Sequence, residues 1–233
     1  MSKKEVVVTQ AAIPAVYDGP TGMAANIGTS DLRLPRVALQ QALSPSVVDG
    51  THKVGALVNS LTQEEIKAPA VITPCFVFKN VIKWKPREQG GGMLYKTTNI
   101  TADVQKDLAW VGDQKPTADA YINVVCLIDG QEGMPVLLSF CKTSYKAGQD
   151  LATLVQLSGC AWKFKYEIGT KLIKGAKGSY YIFTVKRAAK TTEEEAVAAK
   201  ELYENVKGLS IETDFEGDTT ATEQAPIEDT DGL

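Results

Sequence analysis

"WKFKYEIGTKLIKGAKGSYYIFTVKR", Trp162 to Arg187, alternates aromatic and cationic residues along two apparent strands joined by the turn "KGAKG". Side chains in a strand point to opposite faces with period two. Trp162, Phe164, Tyr166 and Ile168 therefore share one face, while Lys163, Lys165 and Glu167 share the other. Any half-buried hairpin reads in this way, so the alternation predicts two strands without saying what the polar face does. Tyr180 and Tyr181 sharpen the point. They are adjacent on one strand and cannot both enter a one-sided core. Parity puts Tyr180 with Lys186 and predicts that Tyr180 is exposed.

Upstream of the hairpin the period changes. In "SYKAGQDLATLVQLSG", Leu151, Leu154, Val155 and Leu157 line one helical face, and Gly159 stands where a C-terminal cap falls. Before that helix, "DAYINVVCLID" and "MPVLLSFCK" flank the turn "GQEG" and read as a β-hairpin. "AVITPCFVFKNVIKWK" reads as a long strand interrupted near Pro74 by a bulge or an edge. "VGALVNSL" reads as a further strand. "RVALQQAL", held short by Pro35 and Pro45, is a strand or a short helix. After the hairpin, "TTEEEAVAAKELYENVKG" has a threonine N-cap, three glutamates in its first turn, Lys207 in its last and Gly208 as a stop. Strands, one helix, two strands and a terminal helix predict a mainly β (β-rich α+β) chain. The arrangement suits an OB-fold-like Greek-key barrel with an inserted helix and a C-terminal helix.

The ends differ from this body. Residues 1–30 show little periodicity and read as a flexible arm; residues 31–208 form the expected domain. Residues 209–233 are too acidic and too poor in apolar groups to order themselves. The net charge of −3 conceals a division between body and tail. The last 25 residues carry eight carboxylates and no cation, whereas residues 142–190 carry ten basic residues against Asp150 and Glu167. A basic body with an acidic tail points toward nucleic acid. No stretch approaches the roughly 18 apolar residues of a membrane span. The opening "MSKKEVVVTQ" does not read as a signal peptide, so a cytoplasmic location is expected.

Catalysis finds no support. The single histidine, His52, lies in the turn-like "VDGTHKVG", and "GGGMLYK" lacks the spacing and the Lys-Ser/Thr of a phosphate-binding loop. Cys75, Cys126, Cys141 and Cys160 form no CxxC pair and read as buried thiols; neither a metal nor a cofactor is expected.

Binding a single strand requires cations for phosphates and flat faces for unstacked bases. Two segments supply both. The first offers Lys79, Lys83, Trp84, Lys85, Arg87 and Tyr95, although parity sets Trp84 opposite Lys83 and Lys85. The second is the opening stretch, with Lys163, Lys165, Tyr166, Lys171, Lys174, Lys177, Tyr180, Lys186 and Arg187. "WKPREQGGGM", "PVLLSFCKTSYKAGQDL", the hairpin and the acidic terminus together resemble bacteriophage-type single-stranded DNA-binding proteins. That resemblance implies an OB-fold and no enzymatic activity. It also implies coating of single strands in DNA replication or recombination, in the host cytoplasm, and a tail whose Glu228, Asp229, Asp231 and Leu233 contact replication or recombination enzymes. Leu233 stands where many such tails end in an aromatic residue. A homo-oligomer is compatible with this reading. The competing expectation is a virion or assembly protein that acts through protein–protein contacts.

Overall fold

A computed structural model describes residues 33–131, 133–175 and 178–207; the expected arm over 1–30 and the acidic tail over 209–233 lie outside them. The strands are β1 (Arg36–Leu39), β2 (Leu57–Asn59), β3 (Glu65–Ile66), β4 (Ala70–Trp84), β5 (Met93–Thr97), β6 (Ala118–Ile128), β7 (Pro135–Cys141), β8 (Phe164–Gly175) and β9 (Gly178–Lys190). The helices are α1 (Pro45–Val48), α2 (Ala102–Asp107), α3 (Tyr145–Ser158) and α4 (Glu193–Val206). The chain is mainly β. Its strands form one mixed sheet in the order β3-β2-β1-β7-β6-β4-β8-β9, with β5 paired to β4. The sheet curls into a half-barrel.

β4 organises the curl. One of its edges pairs with β6 from Ile72 to Lys83. Its other edge is divided, taking β8 at Ala70–Ile72 and β5 at Val81–Trp84. The expected interruption near Pro74 is a register shift between Pro74 and Phe76, which leaves Cys75 as an extra residue. A bulge of this kind bends its strand and increases its twist. The β-branched and aromatic residues keep the strand extended through the bend.

The interior face carries Ile72 and Val77 of β4, Ile122, Val124, Cys126 and Ile128 of β6, Val136, Leu138 and Phe140 of β7, and Tyr166, Ile168 and Phe183 of the β8/β9 hairpin. Phe140 and Phe183 meet edge to face with ring centroids 5.2 Å apart, although four strand pairings separate β7 from β9 in the sheet. The far edge has thus come round toward the near one. A side-chain amide bridges the remaining seam. Gln41 Nε2 donates to the Tyr181 carbonyl at 2.9 Å, and Gln41 Oε1 accepts from Tyr181 N–H at 2.9 Å. Both bonds imitate a strand pairing. The Tyr181 ring lies against Gly55, whose φ is +84°; a Cβ at Gly55 would strike the ring.

α3 connects β7 to β8 and packs on the interior side. Leu151 is fully buried, and Gly159 caps the helix in the left-handed conformation (φ 89°) as expected. α4 begins with a full capping box, in which Thr192 accepts from Glu195 N–H and Glu195 accepts from Thr192 N–H. It lies over β4, where Tyr203 meets Phe76 (5.8 Å) and Trp162 (5.4 Å). The hairpin begins two residues later than its sequence pattern suggests. Trp162 sits in a short 3-10 turn, Ala161–Lys163, and serves α4 rather than the Phe164–Ile168 strand. "RVALQQAL" resolves as the four-residue strand β1, because Ala38 and Leu39 pair with Val58 and Leu57. No expectation covered α1, α2 or β5. α2 and β5 are short elements held by tertiary contacts, whereas α1 buries no residue and is closed by local bonds such as His52 N–H to the Ser46 carbonyl.

The closeness of α3 to the sheet gives a sharp test. A Cβ at Gly148 would lie 2.6 Å from Phe140 Cβ and 3.0 Å from Ile122 Cβ. Gly148→Ala improves helix propensity by about 1 kcal/mol but forces the helix off the sheet. A net loss of roughly 1–3 kcal/mol in denaturant unfolding is expected; a gain would show that α3 has room to move.

Candidate nucleic-acid interface

The two lysine–aromatic segments occupy opposite ends of β4. The hairpin pairs with β4 up to Ile72, and β5 begins pairing at Val81. At about 3.3 Å per residue the two points lie roughly 30 Å apart along the strand. The structure therefore brings the candidates together as two clusters rather than one.

In the first cluster one cation, Lys83, is committed internally. The Asp107 carboxylate at the end of α2 accepts from Lys83 Nζ (2.7 Å), Tyr95 Oη (2.8 Å) and Thr117 Oγ1 (2.9 Å). The bonds from Lys83, Tyr95 and Thr117 hold the Asp107 pKa down to about 2. Burial, followed by the hydrogen bond and charge of Asp107, pushes Tyr95 up to about 12. Tyr95 also packs with Ile100 and Leu108 against Val81, Val104 and Ala118. These three donors pin α2 to the sheet. Trp84 is half-buried against Ile82 and Tyr121, and its Nε1 lies 3.4 Å from the Tyr121 hydroxyl, in keeping with its parity. Lys79 is exposed on β4, 5.9 Å from the Tyr145 ring centroid. Lys85 is exposed just beyond the strand, and Arg87 opens a 3-10 turn.

The hairpin divides in the same way. Cross-strand pairs place Lys171 opposite Ile182, Ile173 opposite Tyr180 and Glu167 opposite Lys186. These residues share one face, the outer one, because Ile168, Phe183 and Val185 belong to the interior. Lys171, Lys174 and Lys186 are exposed on that face or at its tip; Tyr180 lies on the outer face that parity gives it but is half-buried rather than exposed as expected. Lys163 is also exposed, 6.0 Å from the Phe164 ring centroid. Lys177 lies outside the described residues.

Three candidates have structural commitments instead. Tyr166 has no exposed surface, which corrects its placement at a binding surface: its parity with Ile168 turns it inward. Lys165 bridges Asp129 (2.8 Å) and Glu195, tying β8 to the turn after β6 and to the capped end of α4. Burial opposes its ammonium, but the bonds and charges of the two carboxylates outweigh that effect and raise its pKa. Arg187 stacks over Phe164 at 4.4 Å. The tail candidates Glu228, Asp229, Asp231 and Leu233 lie outside the described residues.

The outer face of β6 and β7 is closed rather than open. Asn123 donates to Asn80 (2.9 Å) and Ser139 donates to Asn123 (2.8 Å), forming a polar line across three strands. Val125 and Leu137 beside it are fully buried. Cys75, Cys126, Cys141 and Cys160 are free thiols; Cys75 and Cys126 are buried as expected, whereas Cys141 and Cys160 are half-buried, and burial pushes Cys75 up to about 12 and raises Cys126 as well. Among the described residues no three His, Cys, Asp or Glu side chains gather as a metal site, and no helix is long and apolar enough to cross a membrane. One exposed aromatic escaped the sequence reading. Trp110, 65% exposed, stands in the loop between α2 and β6. Its segment, "LAWVGDQK", lacks the lysine density that marked the other two.

The fold is a mainly β half-barrel with exposed cations toward both ends of its longest strand. A family model described as Pam3 phage gp34-like protein matches residues 4–212, and the chain belongs to that family of phage proteins. Comparison with curated proteins and with solved structures yields no significant match.

The Asp107 knot has a pH signature. A carboxyl whose folded pKa is depressed contributes stability above its unfolded value, near 3.8, and loses it as pH falls toward about 2. Denaturant midpoints should therefore decline between pH 4 and pH 2. Asp107→Asn should remove part of that decline while lowering stability at pH 7. An Asp107→Asn profile parallel to wild type would mean that the carboxylate contributes nothing to folding.

Proposed function

We propose that the chain is a non-catalytic, sequence-tolerant single-stranded DNA-binding protein built on an OB-type barrel, coating strands exposed in phage DNA replication or recombination. The strand order carries the reading. β4, β6 and β7 run as three neighbouring antiparallel strands, α3 follows, and β8 returns to lie beside β4 with β9 outside it. That succession supports an OB-type reading, in which the loops after the first strand and between the last two are used for oligonucleotides. In this chain those two connections are residues 85–117 and the tip of the β8/β9 hairpin, where the exposed Lys85, Lys171 and Lys174 stand. The second and third strands of such barrels also offer a binding face. Here its counterpart on β6 and β7 is closed by burial, so the reading rests on the loops and the hairpin.

Lys79, Lys85, Lys163, Lys171, Lys174 and Lys186 would replace counterions on phosphates, and an aromatic face would take unstacked bases. Labelled oligo(dT) should bind much more tightly than duplex of equal length in fluorescence anisotropy at moderate salt. Lys171→Ala, Lys174→Ala and Lys186→Ala combined should weaken binding and flatten its salt dependence without moving the melting temperature. Equal affinity for both DNA forms, or none for either, favours the assembly role.

The tail's eight carboxylates are tethered to a basic body, so their effective concentration there is of millimolar order. They would compete for the cationic surface and recruit replication or recombination enzymes. Removing residues 209–233 should raise single-strand affinity at low salt. The gain should shrink at 0.15 M, where the Debye length is about 8 Å. Unchanged affinity at low salt would leave the tail recruitment alone.

A further inference from the structure

Among the described residues Trp110 is the one aromatic that is exposed rather than half-buried or buried. Burying an indole is among the larger apolar gains open to a chain. A receptive apolar cluster lies close by, since Leu108, two residues earlier, packs on Val81, Val104 and Ala118 with Tyr95 and Ile100. The loop nonetheless turns Leu108 in and Trp110 out.

That loop is braced at both ends. Thr117 N–H donates to the Asp107 carbonyl at 2.9 Å, closing the segment at its base. The Asp107 side chain binds Lys83, Tyr95 and Thr117. Within the loop, Val111 and Gln114 exchange two backbone hydrogen bonds (3.3 and 3.1 Å) around Gly112, whose φ is +60°. An indole held on such a support loses little conformational freedom when a flat partner stacks on it.

Local charge narrows the role. Lys106 is taken by Asp103 (2.9 Å) and Lys83 by Asp107, while Asp113 stands opposite Lys115 in the sequence of the loop. The loop has little net charge to offer a phosphate. What it offers is an aromatic face, on the same connection after β4 that carries Lys85.

We propose that Trp110 is the base-stacking residue of the interface: it takes the face of an unpaired base while the lysines of the hairpin and of β4 neutralise the backbone. This inference rests on the single-strand reading above. It separates two contributions, a stacking contact insensitive to salt and a phosphate contribution steeply dependent on it.

The test uses the full chain, Trp110→Ala and Trp110→Phe, with labelled oligo(dT) in anisotropy across a salt series, together with intrinsic tryptophan emission and thermal melting. Trp110→Ala should weaken binding by roughly 5- to 150-fold with the slope against log salt and the melting temperature unchanged. Trp110→Phe should restore most of the affinity. DNA should quench the emission of the wild type, and most of that quenching should vanish in Trp110→Ala although Trp84 and Trp162 remain. Wild-type affinity and quenching in Trp110→Ala would overturn the inference alone and reassign the exposed loop to a protein contact. A fall in melting temperature that Trp110→Phe does not repair would also overturn it, by showing a structural role. A wild type that binds no single strand removes the single-strand reading itself, and this inference with it.

Discussion

β4 has to satisfy three neighbours at once, and the structure follows from how it does so. A straight strand has two edges and pairs with one partner along each. β4 pairs with β6 along almost its whole length and divides its other edge between β8 and β5. The extra residue at Cys75 lets the strand bend between those two regions. Once it bends, β8 and β9 are carried round toward β1, Phe140 meets Phe183 across the interior, and the Gln41 amide completes the seam. α3 then fills the interior, with Gly148 allowing its backbone close to Phe140.

The same bend separates charges with a structural task from charges with none. Lys83 and Lys165 each hold a junction: Lys83 joins α2 to the sheet through Asp107, and Lys165 joins β8 to α4 through Glu195. Such partly exposed pairs contribute modestly to stability, but each fixes the position of a helix. Lys79, Lys85, Lys171, Lys174 and Lys186 are exposed and form no ion pair among the described residues, and that unspent charge is what the proposed function uses.

Much of the fold was legible because its signals are local. The threonine N-cap of α4, the Gly159 cap, the β6–β7 hairpin and the break near Pro74 each follow from residue types within a few positions of one another. The candidate site was legible only in part. Lysine density located the two clusters, and parity set Tyr180 and Tyr181 on opposite faces, although both are half-buried. Neither could show that Lys165 meets a glutamate 30 positions away or that Tyr95 meets Asp107. Trp110 was missed because the reading looked for aromatics among cations, and its loop is nearly neutral.

By itself, the sequence determined the periodicity of the long strands, the caps of both long helices and the division into a basic body and an acidic tail. These depend on backbone preference and net charge, which act locally or add residue by residue. Tertiary structure alone decided that β5 and α2 form at all and which lysines are engaged. Short elements gain too little from propensity to persist alone, and a side chain's exposure depends on what the folded chain places over it. Asp107 illustrates this dependence: an unremarkable carboxylate in sequence, it gathers three donors from β4, β5 and the residue before β6 only when the sheet has formed.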